Sequence, residues 1–291
     1  MFVSRGCKIA SNSLLTETLH SIRNLIFMKY SFRKYIRISL ALILPLFASS
    51  CLQTEITVNL NKDGSGTFVE QTILGDQMLA MMTQFAQPGD PDPIQEMFSE
   101  EKSKAKIPKM GEGVEFVKVE MINEGGKKGG RVHYKFADIN KLNINPAGVL
   151  EAMNEEEEQA EVDPKELLKF KYTDGKLSLI MPPTKFDEMN MDLGDEENPQ
   201  AEAMAKQMMG DMRMTLKLNF PGGIDKTNAT HVEGNTATLM DLQVGKMLGH
   251  KEALKKISET AKTDEAAAKD AFSKLDGIKM EMKPDVSISL K

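Results

Sequence analysis

Three stretches of the chain each contain two alternating apolar and polar segments joined by a turn. The paired segments lie at residues 55–60 with 67–74, 114–121 with 131–136, and 168–172 with 177–181. Such alternation is the pattern of a strand with one buried face. The connections are rich in turn-forming residues, among them Asn61-Lys62-Asp63-Gly64 and Thr173-Asp174-Gly175. The pattern therefore predicts three β-hairpins.

Other segments have the spacing of helices or of single strands. Apolar residues recur at helical intervals in residues 78–86, 93–98, 198–208, 254–261 and 264–275. Strand alternation returns in residues 212–220, 235–239, 278–282 and 286–290. The second helix fades into a charged run at residues 100–109. Hairpins with helices inserted between them predict an α+β fold, an antiparallel sheet of several hairpins with amphipathic helices packed on one side.

An acidic stretch interrupts this pattern near the middle of the chain. Residues 146–161 include four consecutive glutamates, Glu155 to Glu158. A run of like charges stays solvated rather than joining a core. We therefore expect a solvated helix or linker, which would divide residues 51–291 near residues 146–164 if that region has two lobes.

The stretch from Met28 to Cys51 has the three parts of a secretory signal peptide. Basic residues come first, then an apolar run at residues 38–47, then small residues before the cysteine. The apolar run has about half of the ~20 residues that a membrane-spanning helix needs. We therefore predict a signal peptide at residues 28–50. Residues 1–27 show no clear globular pattern, and we interpret them as a mis-set start that the mature protein lacks.

The end of this signal peptide, Ala48-Ser49-Ser50-Cys51, resembles the lipobox of bacterial lipoproteins, although Ala48 stands where the family usually has a larger aliphatic residue. The resemblance implies that Cys51 is the lipidation site: its sulfur carries a diacylglycerol, the chain is cut before it, and its new amino group receives a fatty acid such as palmitate. Two or more acyl chains anchor a protein stably to a membrane.

Leu52 follows the cysteine, instead of the Asp of an inner-membrane retention signal, which favours the periplasmic side of the outer membrane. The alternative is a secreted protein with a chance cysteine at its cleavage site.

The charge of the mature region restricts its partners. Residues 1–50 contain seven basic residues and one acidic residue, and without them the chain has 30 Lys and Arg against 42 Asp and Glu, a net charge of −12. Such a surface repels phosphate backbones and anionic head groups. We therefore expect no nucleic-acid partner, and we expect membrane attachment through the N-terminal lipid rather than through surface charge.

The familiar catalytic templates are missing from the mature region. It has three histidines, no HExxH, no Gly-x-Ser-x-Gly and no second cysteine to pair with a histidine. The glycines of residues 125–130 have P-loop spacing but continue as Arg131-Val132. We therefore expect no enzymatic activity, and no catalytic, cofactor-binding or metal-binding residues. A carboxylate-dependent envelope hydrolase is the competing class.

Two patterns in the sequence resemble metal-binding sites, and each also has a simpler structural explanation. Asn59, Asn61, Asp63, Gly64 and Glu70 have the spacing of an EF-hand calcium loop. Both flanks of that loop alternate like strands, which favours a hairpin turn. The Met-x-Met pairs, which offer soft ligands for Cu(I), lie at 189/191, 212/214 and 280/282. Where such methionines continue an apolar face, we expect them to fill the core.

Residues 218–242 run from a strand through Phe220-Pro221-Gly222 and an Asn-bearing turn to a further strand. This block resembles the C-terminal part of the LppM-like family of bacterial cell-envelope lipoproteins. The resemblance covers about a tenth of the chain and implies a fold and a location rather than an activity.

The sequence therefore predicts a membrane-anchored lipoprotein that acts as a non-enzymatic binding or interaction module, with an envelope protein as its partner. A carrier or binder of a lipid or other apolar envelope molecule is the alternative, because Met-rich helices over a sheet can enclose an apolar cavity. A filled core requires the same apolar faces, so both hypotheses stay open.

Overall fold

The computed structural model describes residues 52–85, 91–125, 127–146, 163–184, 186 and 209–291. In chain order, the described strands are β1 (Leu52–Leu60), β2 (Gly66–Leu74), β3 (Val114–Glu124), β4 (Lys127–Phe136), β5 (Lys169–Thr173), β6 (Lys176–Ile180), β7 (Arg213–Asn219), β8 (Ile224–Thr227), β9 (Val232–Glu233), β10 (Thr236–Gln243), β11 (Ile278–Met280) and β12 (Asp285–Leu290). The described α-helices are α1 (Asp76–Phe85), α2 (Pro93–Met97), α3 (Glu100–Ala105), α4 (Ile107–Met110), α5 (Val244–Leu248), α6 (Lys251–Ala261) and α7 (Glu265–Ser273).

The strands form two sheets. The larger has the order β11-β10-β7-β1-β2-β4-β3, with the short β9 also paired to β10, and the smaller has the order β5-β6-β12-β8. The pairs are antiparallel except for β1 with β7, which run parallel. This confirms the predicted α+β class with mostly antiparallel pairing. The second sheet and the parallel pair are additions that local patterns could not predict, because they join segments far apart in sequence.

The three predicted hairpins are confirmed as β1–β2, β3–β4 and β5–β6. Their turns follow from local chemistry. In the first, the Asp63 carboxylate accepts hydrogen bonds from the backbone N–H of Ser65 at 3.0 Å and from its hydroxyl at 2.6 Å. Gly64 adopts a φ of 89°, which a side chain would strain. The turn thereby fixes the register in which Val58 lies opposite Phe68.

Most predicted helices are present within a few residues of their expected bounds, and two short helices replace the charged run of residues 100–109. Ser99 caps α3 by accepting a hydrogen bond from the backbone N–H of Lys102. Lys104 pairs with Glu100 one turn earlier, at 2.8 Å. The charges of this run therefore lie on the exposed side of helices. The predicted helix at 198–208, most of the acidic stretch, residues 1–50 and Cys51 lie outside the described residues.

One hydrophobic core connects both sheets. Along β1, alternate residues from Leu52 to Leu60 are buried, and Val58 is fully buried. The inner face of the smaller sheet contributes Leu179 and Ile288 to the same core. Helices add to the same core, for example through Met247 of α5 and Phe272 of α7. In α3, the backbone carbonyl of Ser103 accepts a hydrogen bond from the Tyr134 hydroxyl of β4. The opposite side of the larger sheet is polar.

Candidate interaction surface

The polar side of the eight-stranded sheet is the candidate functional site, and we call it the open face. It begins with the outward residues of β1, from Gln53 to Asn59, and continues onto neighbouring strands through residues in register with them. Its hydrogen-bonding side chains include Glu55, Asn59, Gln71, Glu120, Arg131, His133, Arg213, Lys217, Asn219 and Asp241. Within the described residues, their side-chain hydrogen bonds and ion pairs join members of the face to one another.

A row of short polar side chains crosses four strands of the open face. The amide of Asn219 on β7 donates to the Asn59 side-chain oxygen on β1 at 2.8 Å. Asn59 in turn donates to the Thr67 hydroxyl on β2 at 2.9 Å. On the other side, the Thr236 hydroxyl on β10 donates to the Asn219 oxygen at 3.2 Å. Because each amide is held by a neighbour, the donors and acceptors of the row have fixed positions.

Next to this row, Lys217 on β7 places its ammonium 2.6 Å from Glu55 on β1. The Thr57 hydroxyl donates to the other oxygen of the same carboxylate at 3.2 Å. The parallel register places Lys217 directly opposite Thr57. Its side chain extends along β1 to Glu55, which is two residues before Thr57 on the same side of the strand. The central charges of the face are therefore neutralised by a neighbour rather than by solvent alone.

Arg213 and Asp241 form the most buried ion pair of the face. The guanidinium donates from Nε and Nη2 to the two carboxylate oxygens at 2.7 and 2.8 Å, and Asp241 is only 5% exposed. Burial raises the pKa of Asp241, but the hydrogen bonds and charge of Arg213, with the charges of Lys279 and Lys217, lower it by more. The pKa therefore lies below its usual value. Bidentate Arg–carboxylate geometry is among the stronger ion pairs in proteins.

Toward the β3 edge, three cationic or ionisable side chains converge on Glu120. Lys118 on the same strand, His133 at 3.2 Å and Arg131 at 3.4 Å all contact its carboxylate. The hydrogen bond from Lys118, followed by that with His133, lowers the pKa of Glu120 to about 2. Arg131 also donates from two nitrogens to the side-chain oxygen of Gln71 on β2. Glu120 thus stays ionised at neutral pH.

The structure separates the residues of the calcium-like pattern. Asn59 belongs to the amide row, Asp63 is bound to Ser65 in the hairpin turn, and Glu70 pairs with Lys106 at 3.1 Å. Strands flank the loop on both sides, as the hairpin interpretation predicted. Within the described ranges, no group of three or more His, Cys, Asp or Glu side chains is placed to hold a metal ion.

Two of the methionines singled out in the sequence are core residues. Met212 and Met214 are 5% and 2% exposed and belong to the main hydrophobic cluster. Met280 and Met282 pack against the same cluster, while Met189 and Met191 lie outside the described residues. This confirms the packing interpretation of Met212 and Met214. The predicted lipidation site, Cys51, directly precedes the first described residue.

The residues that form the open face were missed at the level of the sequence. The outward positions of β4, Arg131, His133 and Lys135, alternate visibly with apolar ones. That alternation indicates which residues face solvent, but not that Glu120 and Gln71 lie within reach. The polar half of every alternating strand is the signal that could have found them, combined with the register between strands.

Comparisons with known proteins leave the chain without an assigned family. No protein-family model matches it, and no curated protein matches it. Among solved structures, it is similar to the folded domain of LppM from Mycobacterium tuberculosis, determined by NMR, with 12% sequence identity and a TM-score of 0.29 over 68% of this chain and 86% of that one. A likeness at this level identifies neither a ligand nor an activity. In the described part of the chain, no helix has the length and apolar character needed to span a membrane.

Proposed function

We propose that this protein is a membrane-anchored lipoprotein of the cell envelope that serves, without catalysing a reaction, as an interaction module for another envelope protein. The open face is the observation that carries the proposal. Its amide row and ion pairs hold polar side chains in fixed positions on one side of the sheet. Because these side chains are already held in place, binding of a partner immobilises few of them. The entropic cost of association is therefore reduced.

The composition of the open face suits a protein partner. Arg131 and Arg213 are planar, multidentate donors of the kind that is enriched at protein interfaces, and their charges are paired with Glu120 and Asp241 on the same face. Half-exposed apolar side chains, Val69 and Ile73 of β2, lie between the polar clusters and add contact area. Polar groups that are already paired with one another also lose less hydration on binding.

The ionisation of the carboxyl groups supports a non-enzymatic role. A general acid for hydrolysis needs a raised pKa, so that it is protonated at neutral pH. In the described part of the chain, each carboxyl group with a shifted pKa is shifted downward: Asp63, Glu120, Asp241 and Asp276. Hydrogen bonds and neighbouring cations hold these groups ionised, which opposes the hydrolase alternative.

The anchor belongs to the same proposal and is tested first. The resemblance of residues 48–51 to a lipobox supports acylation of Cys51, and β1 begins at the next residue. Acylation would therefore hold the sheet close to the membrane, on the periplasmic side of the outer membrane if the organism has one. We expect the native chain to enter the detergent phase on Triton X-114 partitioning and the Cys51→Ser variant to remain in the aqueous phase. Equal partitioning of both chains would end the lipoprotein assignment.

The interaction surface is tested by cross-linking in cells of the source organism. A photoreactive amino acid replaces Val69 or Ile73 on the open face, and Glu252 on the exposed side of α6 serves as the control position. We expect one discrete cross-linked protein from both open-face positions and none from position 252. Adding Lys217→Glu, which puts two carboxylates together, should remove that product. Identical products from all three positions would contradict the proposal.

A further inference from the structure

The outward side of the four-stranded sheet is a second polar surface with a different character. Along β5 and β6, inward Phe170, Leu177 and Leu179 are buried in the core, so the residues between them face outward. Val286 and Ile288 fix the orientation of β12 in the same way. The outward residues include four exposed lysines, Lys169, Lys171, Lys176 and Lys226, and we call this surface the lysine face.

The strand register arranges the lysine face in three rows. Lys176 and Lys226 lie on either side of Ser289. In the next row, Lys171 lies beside Ser178, which lies beside Ser287. In the third row, Lys169 lies beside Ile180, which lies beside Asp285. Serine side chains therefore lie next to the lysines in the first two rows, and Ile180 lies next to Lys169 in the third.

Positive charge dominates this surface. Its outward residues include four lysines, and the carboxylates on the same strands are Asp285 of β12 and the exposed Asp225 next to Lys226 on β8. Within the described residues, none of the four lysines forms an ion pair, whereas Lys217 and Arg213 of the open face are both paired. No two of these lysines are directly opposite one another in the register, and all four lie on the same side of the sheet, so an anionic surface that approaches it meets four like charges.

We propose that the lysine face docks on the anionic surface of a phospholipid bilayer. Lysine is depleted in protein interfaces, and the outward positions of this sheet carry no arginine or aromatic side chain. A lipid surface instead offers many mobile phosphates, which a compact ammonium on a flexible stem binds without a fixed geometry. Ile180 is 50% exposed beside Lys169 and provides an apolar side chain that enters the head-group layer.

The pairing of cations differs between the two described faces. In the described part of the chain, Arg213 and Lys217 of the open face are paired with carboxylates, whereas the four lysines of the lysine face share one side of a sheet without an ion pair. The lysine face is therefore the side that we expect to approach an anionic bilayer. The attraction does not depend on acylation of Cys51, so the two properties are measured separately.

The test uses the Cys51→Ser chain and vesicles of phosphatidylcholine, alone or mixed with phosphatidylglycerol. All variants share residues 1–50, so differences between variants on the anionic vesicles report the residues that were changed. We expect tighter binding to the anionic vesicles, weakened as the salt is raised from about 0.1 M to about 1 M. Replacing Lys169, Lys171 and Lys176 with Gln should reduce the anionic component about 100-fold.

A matched triple variant separates the lysine face from net charge. Lys255, Lys256 and Lys262 are exposed on and just after α6, and changing them to Gln alters the net charge equally. We expect that variant to bind almost as the parent does.

Asp285→Lys should strengthen binding, which keeps the test informative if the lysine-face triple variant folds poorly in a thermal melt. Equal losses from both triples, no preference for anionic vesicles, or no gain from Asp285→Lys would each overturn the proposal. A lysine-dependent cross-link to an acidic protein without vesicle binding would replace the lipid surface with a protein partner.

Discussion

Individual side chains on the open face are held by partners that come from other strands. The clearest case is Asp241, whose carboxylate is buried at 5% exposure and bound by both arms of Arg213. A buried carboxylate without its partner is costly, because the desolvation of the charge is then uncompensated. The same logic applies to Glu281, which is 2% exposed and accepts hydrogen bonds from Thr230 and from the backbone of Lys283.

We predict that Asp241→Asn lowers the free energy of unfolding by about 1 to 3 kcal/mol at pH 7. The pKa of Asp241 is lower in the folded protein than its ordinary value of 3.8, so ionisation stabilises the fold above that pH. This contribution is lost as the pH falls through the folded pKa. Urea denaturation should therefore show a clear difference between the two proteins at pH 7, and that difference should shrink as the pH is lowered below 3.8. Asp276→Asn is the control: its partner is Lys246 and its side chain is 75% exposed, so it should behave almost like the parent.

Methionine truncation distinguishes a packed core from a ligand cavity. Met214 is 2% exposed, so Met214→Ala should cost about 2 to 5 kcal/mol in a filled core. Met82 on α1 is half-buried against the same core, so Met82→Ala should cost less, about 1 to 2 kcal/mol. Chemical denaturation measures both values, and native mass spectrometry of the parent reports any bound apolar molecule. Unchanged stability of Met82→Ala together with loss of a bound lipid would favour the carrier hypothesis instead.

At the scale of elements, the sequence predicts those parts whose contacts are local. The hairpin at Asn61 to Ser65 follows from turn residues between two alternating segments, and Asp92 starts α2 by accepting a hydrogen bond from the backbone N–H of Ile94. The parallel pair that sets Ile56 opposite Leu216 joins segments 160 positions apart, and no local pattern specifies it. The open face depends on that pairing, because Lys217 reaches Glu55 only across it. Sequence patterns therefore predicted outward positions, but not the clusters that they form.

The docking of α2 on β4 gives a prediction at this scale. Gly130 lies under the Phe98 ring that follows α2, and a methyl group built at Gly130 would lie 2.4 to 2.8 Å from three ring carbons. Gly130→Ala should therefore cost about 1 to 3 kcal/mol, because the buried ring must move. In a Phe98→Ala background that cost should largely disappear. A double-mutant cycle by chemical denaturation measures the coupling, and additive effects would show that the ring does not limit this position.

At the scale of the whole molecule, net charge conceals a separation of surfaces. The value of −12 for residues 51–291 argued against any electrostatic attraction to membranes. In the described part of the fold, however, Arg213 and Lys217 of the open face are paired with carboxylates, while the four lysines of the lysine face form no ion pair. The alternation in the sequence of β5 and β6 indicates that their lysines face outward. Only the register with β12 and β8 shows that Lys226 lies on the same side of the sheet as these lysines. The net charge of a chain therefore describes its average electrostatics, and the charge of one face has to be taken from the fold.

We predict that the two sheets unfold together as one cooperative unit. They share one hydrophobic core, and the Tyr172 hydroxyl of β5 donates to the backbone carbonyl of Lys62, next to β1, at 2.6 Å. Leu179 of β6 is fully buried, so Leu179→Ala should cost about 2 to 5 kcal/mol. If unfolding is cooperative, native-state hydrogen exchange should show the same loss in the slowest amides of β1 and β4 as in those of β6. Ser178→Ala, on the outward side of β6, is the control and should change exchange in neither sheet. Faster exchange confined to the smaller sheet would instead indicate two lobes, divided near residues 146–164.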